Sequence, residues 1–251
     1  MALLEVRGLV KHFIGVTALD RVDLAVERGE LVSLIGPNGS GKTTLFNCIT
    51  GYVAADGGRA IFRGNDLTNV PPHRVARLGV ARTFQQVSVF PRLSVLENLL
   101  VFLQQHQEEH LLARLLRTRR LRRLESEALE RARRLLDLVG LSDNADDAAG
   151  SLSYGQRKLL AFAAALMPDP DLLLLDEPAA AVNPTMINQM KDHILALHRQ
   201  GKTVLLVEHN MEVVMDISQR VVVLDHGQKI AEGPPDAIRR DARVIEAYFG
   251  R

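Results

Sequence analysis

The sequence predicts an α/β fold with a central, mostly parallel sheet, and three observations predict it. Runs that are apolar at nearly every residue recur along the chain, at Leu31 to Ile35, Leu172 to Leu175, Val204 to Val207 and Val221 to Leu224. Such runs suit strands covered on both faces. Helical patterns separate several of them, which is the alternation that builds a parallel sheet. The 251 residues are 47% hydrophobic, enough for a packed core, so disorder as a class is excluded.

The elements follow in order. Leu4 to Leu9 and Val22 to Val26 alternate like antiparallel strands, an N-terminal β portion that ends at a turn marked by Gly29. Leu31 to Ile35 is the first buried strand, and Thr44 to Ile49 reads as the start of a helix. From about Ser94 to Leu141 no strand-like run occurs, and Leu111, Leu112, Leu115, Leu116, Leu121 and Leu124 recur at helical spacing. Residues 91–166 are therefore expected to form a helical subdomain inserted into an α/β core made of 1–90 and 167–251, within one domain of two lobes. Near the end, Asp225-His226-Gly227-Gln228 reads as a hairpin turn.

Composition narrows the function classes. The chain has 31 basic and 30 acidic residues, a net charge of +1, which argues against a dedicated nucleic-acid binder. Its one cysteine, Cys48, permits no internal disulfide, and a Cys/His metal cage is not expected. Cys48 is expected to pack a helix against the sheet. The first residues lack a basic start followed by an apolar stretch, and no run reaches the roughly 18 apolar residues that span a bilayer. A soluble intracellular protein is expected, with any membrane link made through a partner.

Gly36-Pro37-Asn38-Gly39-Ser40-Gly41-Lys42-Thr43 matches the phosphate-binding pattern G-x-x-x-x-G-K-[ST] in full, after a buried strand and before a helix. Glycines let successive backbone N–H groups curl around an anion, and the following helix adds its positive end. Lys42 can reach the β- and γ-phosphates of ATP, and the Thr43 hydroxyl can hold Mg²⁺. Thr44 follows directly. Leu172 to Leu175 then Asp176-Glu177 places two carboxylates at the C-terminal edge of a strand, where α/β ligands sit. Asp176 suits the Mg²⁺ shell, and Glu177 suits orienting and deprotonating a water.

With these motifs, Leu152-Ser153-Tyr154-Gly155-Gln156 resembles the L-S-G-G-Q signature of the ATP-binding cassette (ABC) ATPases, 20 residues before Asp176 counted from Gln156. The resemblance extends over the whole chain. It implies a P-loop NTPase with a RecA-like core, an adenine-stacking aromatic at Phe13 with Val16 beside it, and a Q-loop glutamine at Gln85 that senses the γ-phosphate and Mg²⁺. It also implies a D-loop at Pro178 to Pro184 and a switch histidine at His209. Ser153, Gly155 and Gln156 would complete the γ-phosphate cage of a second cassette. Lys42, Gln85, Glu177 and His209 are the catalytic set it implies, and Thr43, Gln85 and Asp176 the metal set.

Further strings are similar to one branch of that family: Ala81-Arg82-Thr83-Phe84-Gln85, Leu96-Glu97-Asn98-Leu99, Val207-Glu208-His209-Asn210-Met211 and Val244 to Gly250. The branch is the ATPase subunits of branched-chain amino acid importers, and the chain resembles the longer of the two. Relatives in the branch serve urea import and lipopolysaccharide extraction, so other cargo stays open. A non-transport ABC ATPase acting on nucleic acid or ribosomes is a further alternative. The resemblance implies peripheral attachment at the cytoplasmic face of the inner membrane. Its expected partners are a second ATPase subunit (an identical copy or the shorter paralogue), two transmembrane permease subunits and, indirectly, a periplasmic or extracellular substrate-binding protein, with no nucleic acid. Ala164, Ala181, Asn183 and Asn210 depart from common family residues, and Ala181 is expected to stiffen the D-loop. Arg114, Arg117, Arg119, Arg120, Arg122 and Arg123 form a basic cluster, read either as a solvated helix face paired with Glu125, Glu127 and Glu130 or as a contact for anionic lipid.

Overall fold

The computed structural model describes residues 2–83, 89–104 and 119–250. It resolves two compact units, Met1–Gln85 with Asp171–Arg251, and Gln86–Pro170. These boundaries compare with 90/91 and 166/167 read from the sequence. Nine α-helices run in chain order among the described residues. They are α1 (Lys42–Ile49), α2 (Pro72–Arg77), α3 (Val95–Gln104), α4 (Arg119–Leu138), α5 (Tyr154–Leu166), α6 (Pro184–Arg199), α7 (Met211–Ile217), α8 (Pro235–Arg240) and α9 (Ala242–Phe249).

The first unit holds two sheets. Strands β1 (Ala2–Phe13), β2 (Val16–Glu27), β4 (Gly57–Phe62) and β5 (Asn65–Asp66) form an antiparallel sheet in the order β2-β1-β4-β5. Strands β3 (Leu31–Ile35), β6 (Val80–Arg82), β7 (Leu172–Asp176), β8 (Thr203–Val207), β9 (Arg220–Asp225) and β10 (Gln228–Gly233) form the main sheet in the order β10-β9-β3-β8-β7-β6. It is parallel except for β10, which returns on β9 through the 226–227 hairpin turn. Sequence periodicity gives only the inner parts of β1 and β2. It misses β4, β5 and β6, whose apolar runs are too short to register.

Alternation along the main strands explains their uninterrupted apolar character. Val32, Leu34, Leu172, Leu174, Val222 and Leu224 face one core, shared with Leu45, Phe46 and Ile49 of α1 and with Leu4, Val6 and Leu24 of the antiparallel sheet. Ile35, Val221 and Val223 face another core, shared with Val214, Ile238 and Val244 of α7, α8 and α9. Successive residues of a strand point to opposite faces, so two covered faces require apolar residues at every position. Cys48 lies in the first core, and burial pushes its thiol up to about 11, which suits packing rather than reactivity.

The second unit packs α3 against α4 and α5. Buried Val95 and Leu99, Ala132 and Leu136, and Leu160 and Ala163 belong to its three helices. Ser94 and Glu97 form a reciprocal cap at the start of α3: Ser94 N donates to Glu97 Oε2 (2.7 Å) and Glu97 N to Ser94 Oγ (3.1 Å). Asn98 is buried and clamps the preceding loop. It accepts from Phe90 N (2.7 Å) and donates to Phe90 O (3.0 Å) and Ser94 O (2.9 Å). The structure thus gives the Leu96-Glu97-Asn98-Leu99 string a local task.

In α4, Glu127 pairs with Arg123 (2.7 Å), four residues before it. Arg131, the partner that helix spacing also allows, instead reaches Leu166 O (2.8 Å) and Asp169 (3.1 Å) at the end of α5. That arrangement satisfies a helix C-terminal carbonyl. Leu111, Leu112, Leu115, Leu116, Arg114 and Arg117 lie outside the described residues, as do the side chains of Arg119, Arg120 and Leu121. No helix among the described residues is long and apolar enough to cross a membrane.

Candidate active site

The site begins where β3 ends. Gly36, Gly39 and Gly41 carry the loop, with φ of 152°, 81° and 103°. At two of them the space is closed. A Cβ on Gly36 would stand 2.1 Å from Leu224 O, and one on Gly41 would stand 2.5 Å from Ala18 O. These contacts are backbone, so no side-chain shift relieves them. The turn after β9 braces the same loop, because Gly227 N donates to Ser40 O (3.1 Å) while Gly227 O accepts from Asp20 N (2.8 Å).

Lys42 opens α1 and is 5% exposed, with its ammonium turned inward. Nζ donates to Gly36 O (2.8 Å), Pro37 O (2.9 Å) and Ser40 Oγ (3.3 Å). Burial lowers its pKa from the usual lysine value, opposed by the nearby charges of Glu177 and Asp176. Ser40 is buried, Asn38, Gly39 and Thr43 are exposed, and Pro37 and Thr44 are half-buried. The loop therefore offers backbone N–H groups and an exposed Thr43 hydroxyl around a held cation.

Asp176 ends β7 and is buried. Its Oδ2 accepts from Arg82 Nη2 (2.8 Å), and its backbone N donates to Thr83 Oγ1 (3.2 Å). Arg82 Nη1 also donates to Asn47 Oδ1 (2.7 Å) and Thr50 Oγ1 (3.1 Å). One guanidinium thus ties β6, β7 and α1 together. This residue was legible only as part of a string; nothing in its spacing announced the ion pair. Asp176 with the Thr43 hydroxyl is an oxygen-only donor set. It suits a small hard cation that keeps water and phosphate oxygens in its shell. No group of three or more His, Cys, Asp or Glu side chains occurs among the described residues as an all-protein cage.

Glu177 follows Asp176 with φ of 50°, a left-handed conformation in a non-glycine residue. Glu177 N donates to Val207 O (2.9 Å), which holds the bend against β8. His209, two residues beyond β8, sets Nε2 2.9 Å from Glu177 Oε1. The parallel register of β7 and β8, with Asp176 opposite Val207, produces this meeting. Lys42, Asp176, Glu177 and His209 therefore converge at the C-terminal ends of β3, β7 and β8.

Phe13 (48% exposed), Ile14 and Val16 (62%) form an exposed apolar hairpin tip, with Gly15 at φ 76° completing the two-residue turn. Phe13 thus lies outside the core, with Lys11 Nζ over its ring, 5.2 Å from the centroid. Gln85 and Phe84 lie outside the described residues. Ser153 belongs to the second unit. It caps α5 by accepting from Gln156 N (3.3 Å), while Gln156 Oε1 accepts from Ser153 N (3.0 Å). Ser153 and Tyr154 are exposed, and Gly155 and Gln156 are half-buried.

Ala181, read as a stiffening departure, has φ of 58° and is exposed. An L-residue in this region costs about 1–2 kcal/mol through its Cβ. Ala181→Gly is expected to stabilise the chain by about 1 kcal/mol, or ~2–4 °C in Tm, in a thermal melt. An unchanged or lower Tm would show that no strain is stored there. Asn183 caps α6 by accepting from Met186 N (2.9 Å), and Asn210 caps α7 by accepting from Glu212 N (3.0 Å). Both asparagines keep the cap an aspartate would make.

The family model described as "ABC transporter" matches residues 19–180, and one described as "Branched-chain amino acid ATP-binding cassette transporter" matches residues 228–251. The chain is 44% identical over 249 residues to the high-affinity branched-chain amino acid transport ATP-binding protein BraF of Pseudomonas aeruginosa, covering 99% of this chain and 98% of that one. It is 43% identical, with the same coverage, to the corresponding protein LivG of Escherichia coli K12. Among solved structures, an ATP-binding cassette of an ABC transporter in its ADP conformation is 37% identical, covers 100% of both chains and has a TM-score of 0.86.

Proposed function

Because the chain belongs to the ABC transporter family of ATP-binding proteins, we propose that it is the ATP-hydrolysing subunit of an importer for branched-chain or related amino acids. The convergence of Lys42, Asp176, Glu177 and His209 at three adjacent strand ends carries the reading. The transport assignment rests on the names of the relatives at 43–44% identity and on the C-terminal match.

In this reading Phe13 and Val16 stack the adenine. The backbone N–H groups of Asn38 to Thr44 with Lys42 Nζ hold the phosphates. Lys42 then exchanges its carbonyl acceptors for phosphate oxygens. Thr43 and Asp176, with Gln85, would hold Mg²⁺, which when bound offsets the charge of the β- and γ-phosphate oxygens. Glu177 accepts the proton of the attacking water, and His209 Nε2 fixes the carboxylate that accepts it.

Ser153 and the N–H groups at the start of α5 supply further donors to the nucleotide of a second cassette, either an identical copy or a shorter paralogue. Neither half-site alone surrounds the developing charge, so hydrolysis depends on closure of the pair. Closure drives two permease subunits, and the chain sits on the cytoplasmic face of the membrane without crossing it. The test is uptake by vesicles holding this chain with its co-purified permease. ATP-dependent accumulation of labelled leucine is expected; accumulation of urea but not leucine would sink the cargo assignment.

A further inference from the structure

Glu208 is 2% exposed at the end of β8 and carries a carboxylate where the main sheet is closed on both faces. Burying such a group is costly unless donors surround it. Here three backbone donors do. Ala179 N donates to Oε1 (2.7 Å), and His209 N (2.9 Å) and Asn210 N (3.1 Å) donate to Oε2. The donors come from two different loops. Ala179 lies two residues after Glu177, and His209 and Asn210 form the loop that enters α7.

One side chain therefore ties the segment that carries Glu177 to the segment that carries His209. The tie matters because the contact it brackets is not self-supporting. Glu177 sits in a left-handed conformation, and His209 is 39% exposed in its side chain. We propose that Glu208 is a positioning residue for hydrolysis, which holds Glu177 Oε1 and His209 Nε2 in register by bonding the backbone on both sides of them. This rests on the assignment of Glu177 and His209 to the hydrolytic step. Glu208 bonds the backbone at Ala179, His209 and Asn210, whereas Lys42 is held by Gly36, Pro37 and Ser40 of the phosphate loop. Its loss should then act on turnover rather than on nucleotide binding.

The test is Glu208→Gln in the full chain. The carboxamide fills the same volume but accepts on one side only; its NH₂ then faces a backbone N–H on the other. A kcat at least about 10-fold lower is expected, with KM for MgATP within about twofold of wild type. In a double-mutant cycle with His209→Ala, Glu208→Gln is expected to cost less than about twofold once the histidine is gone, because both act through one contact. An unchanged kcat, or a full additional loss in the His209→Ala background, would overturn the proposal. Loss of MgATP binding or of a cooperative thermal transition in Glu208→Gln would also overturn it, by making the residue a plain determinant of folding. Absence of hydrolysis in the wild-type chain would instead count against the hydrolytic assignment itself.

Discussion

Glu177→Gln is expected to cut the kcat of ATP hydrolysis by roughly 10²–10⁴ while leaving MgATP binding within about twofold. The amide keeps the shape of the carboxylate, and its oxygen still accepts from His209 Nε2, which stands 2.9 Å from Oε1 in the native chain. What it loses is the ability to take a proton from water. The hydrogen bonds that anchor Lys42 go to Gly36, Pro37 and Ser40 and do not involve the substituted group. Steady-state hydrolysis and equilibrium binding measured on the same preparation separate the two effects. A variant that hydrolyses ATP at the wild-type rate would remove Glu177 as the base. In the paired mechanism Glu177→Gln holds ATP without consuming it, so MgATP is also expected to convert it to a species of twice the mass on a sizing column.

The chemistry-bearing residues were legible because they sit in strings whose spacing is fixed by chemistry. Gly36 to Thr43 needs glycine where backbone approaches backbone, and Asp176-Glu177 needs four aliphatics to bury the strand before it. Supporting residues were less legible, for a physical reason. Arg82, Asn98 and Glu208 each act by bonding partners up to 94 residues away in the chain or by bonding backbone groups of loops. Nothing local marks such a side chain as buried and engaged. Strands β4, β5 and β6 escaped likewise, because pairing with neighbouring strands rather than their own pattern makes them strands.

Arg82→Met is expected to destabilise the chain by about 3–5 kcal/mol, because it strands the Asp176 carboxylate in a buried position. The pair is 5% and 4% exposed in its side chains, so water does little to replace the guanidinium. The substitution also removes the donors to Asn47 and Thr50 and the cation over the Phe46 ring, 5.5 Å from its centroid. A melt should register a fall of roughly 6–20 °C in Tm. Buried ion pairs are seldom the most stable solution, and apolar residues of similar volume often match or exceed them. The double variant Arg82→Met/Asp176→Leu is therefore expected to recover most of the lost stability while remaining without hydrolysis. A stable but inactive double variant would mean that the pair is kept for what Asp176 does, with Arg82 holding one carboxylate oxygen and leaving the other for a bound cation. A double variant as unstable as Arg82→Met alone would refute that account and assign the loss to the Asn47 and Thr50 contacts. In that case Arg82 would be a strut between α1 and β6, and its meeting with Asp176 would carry no functional meaning.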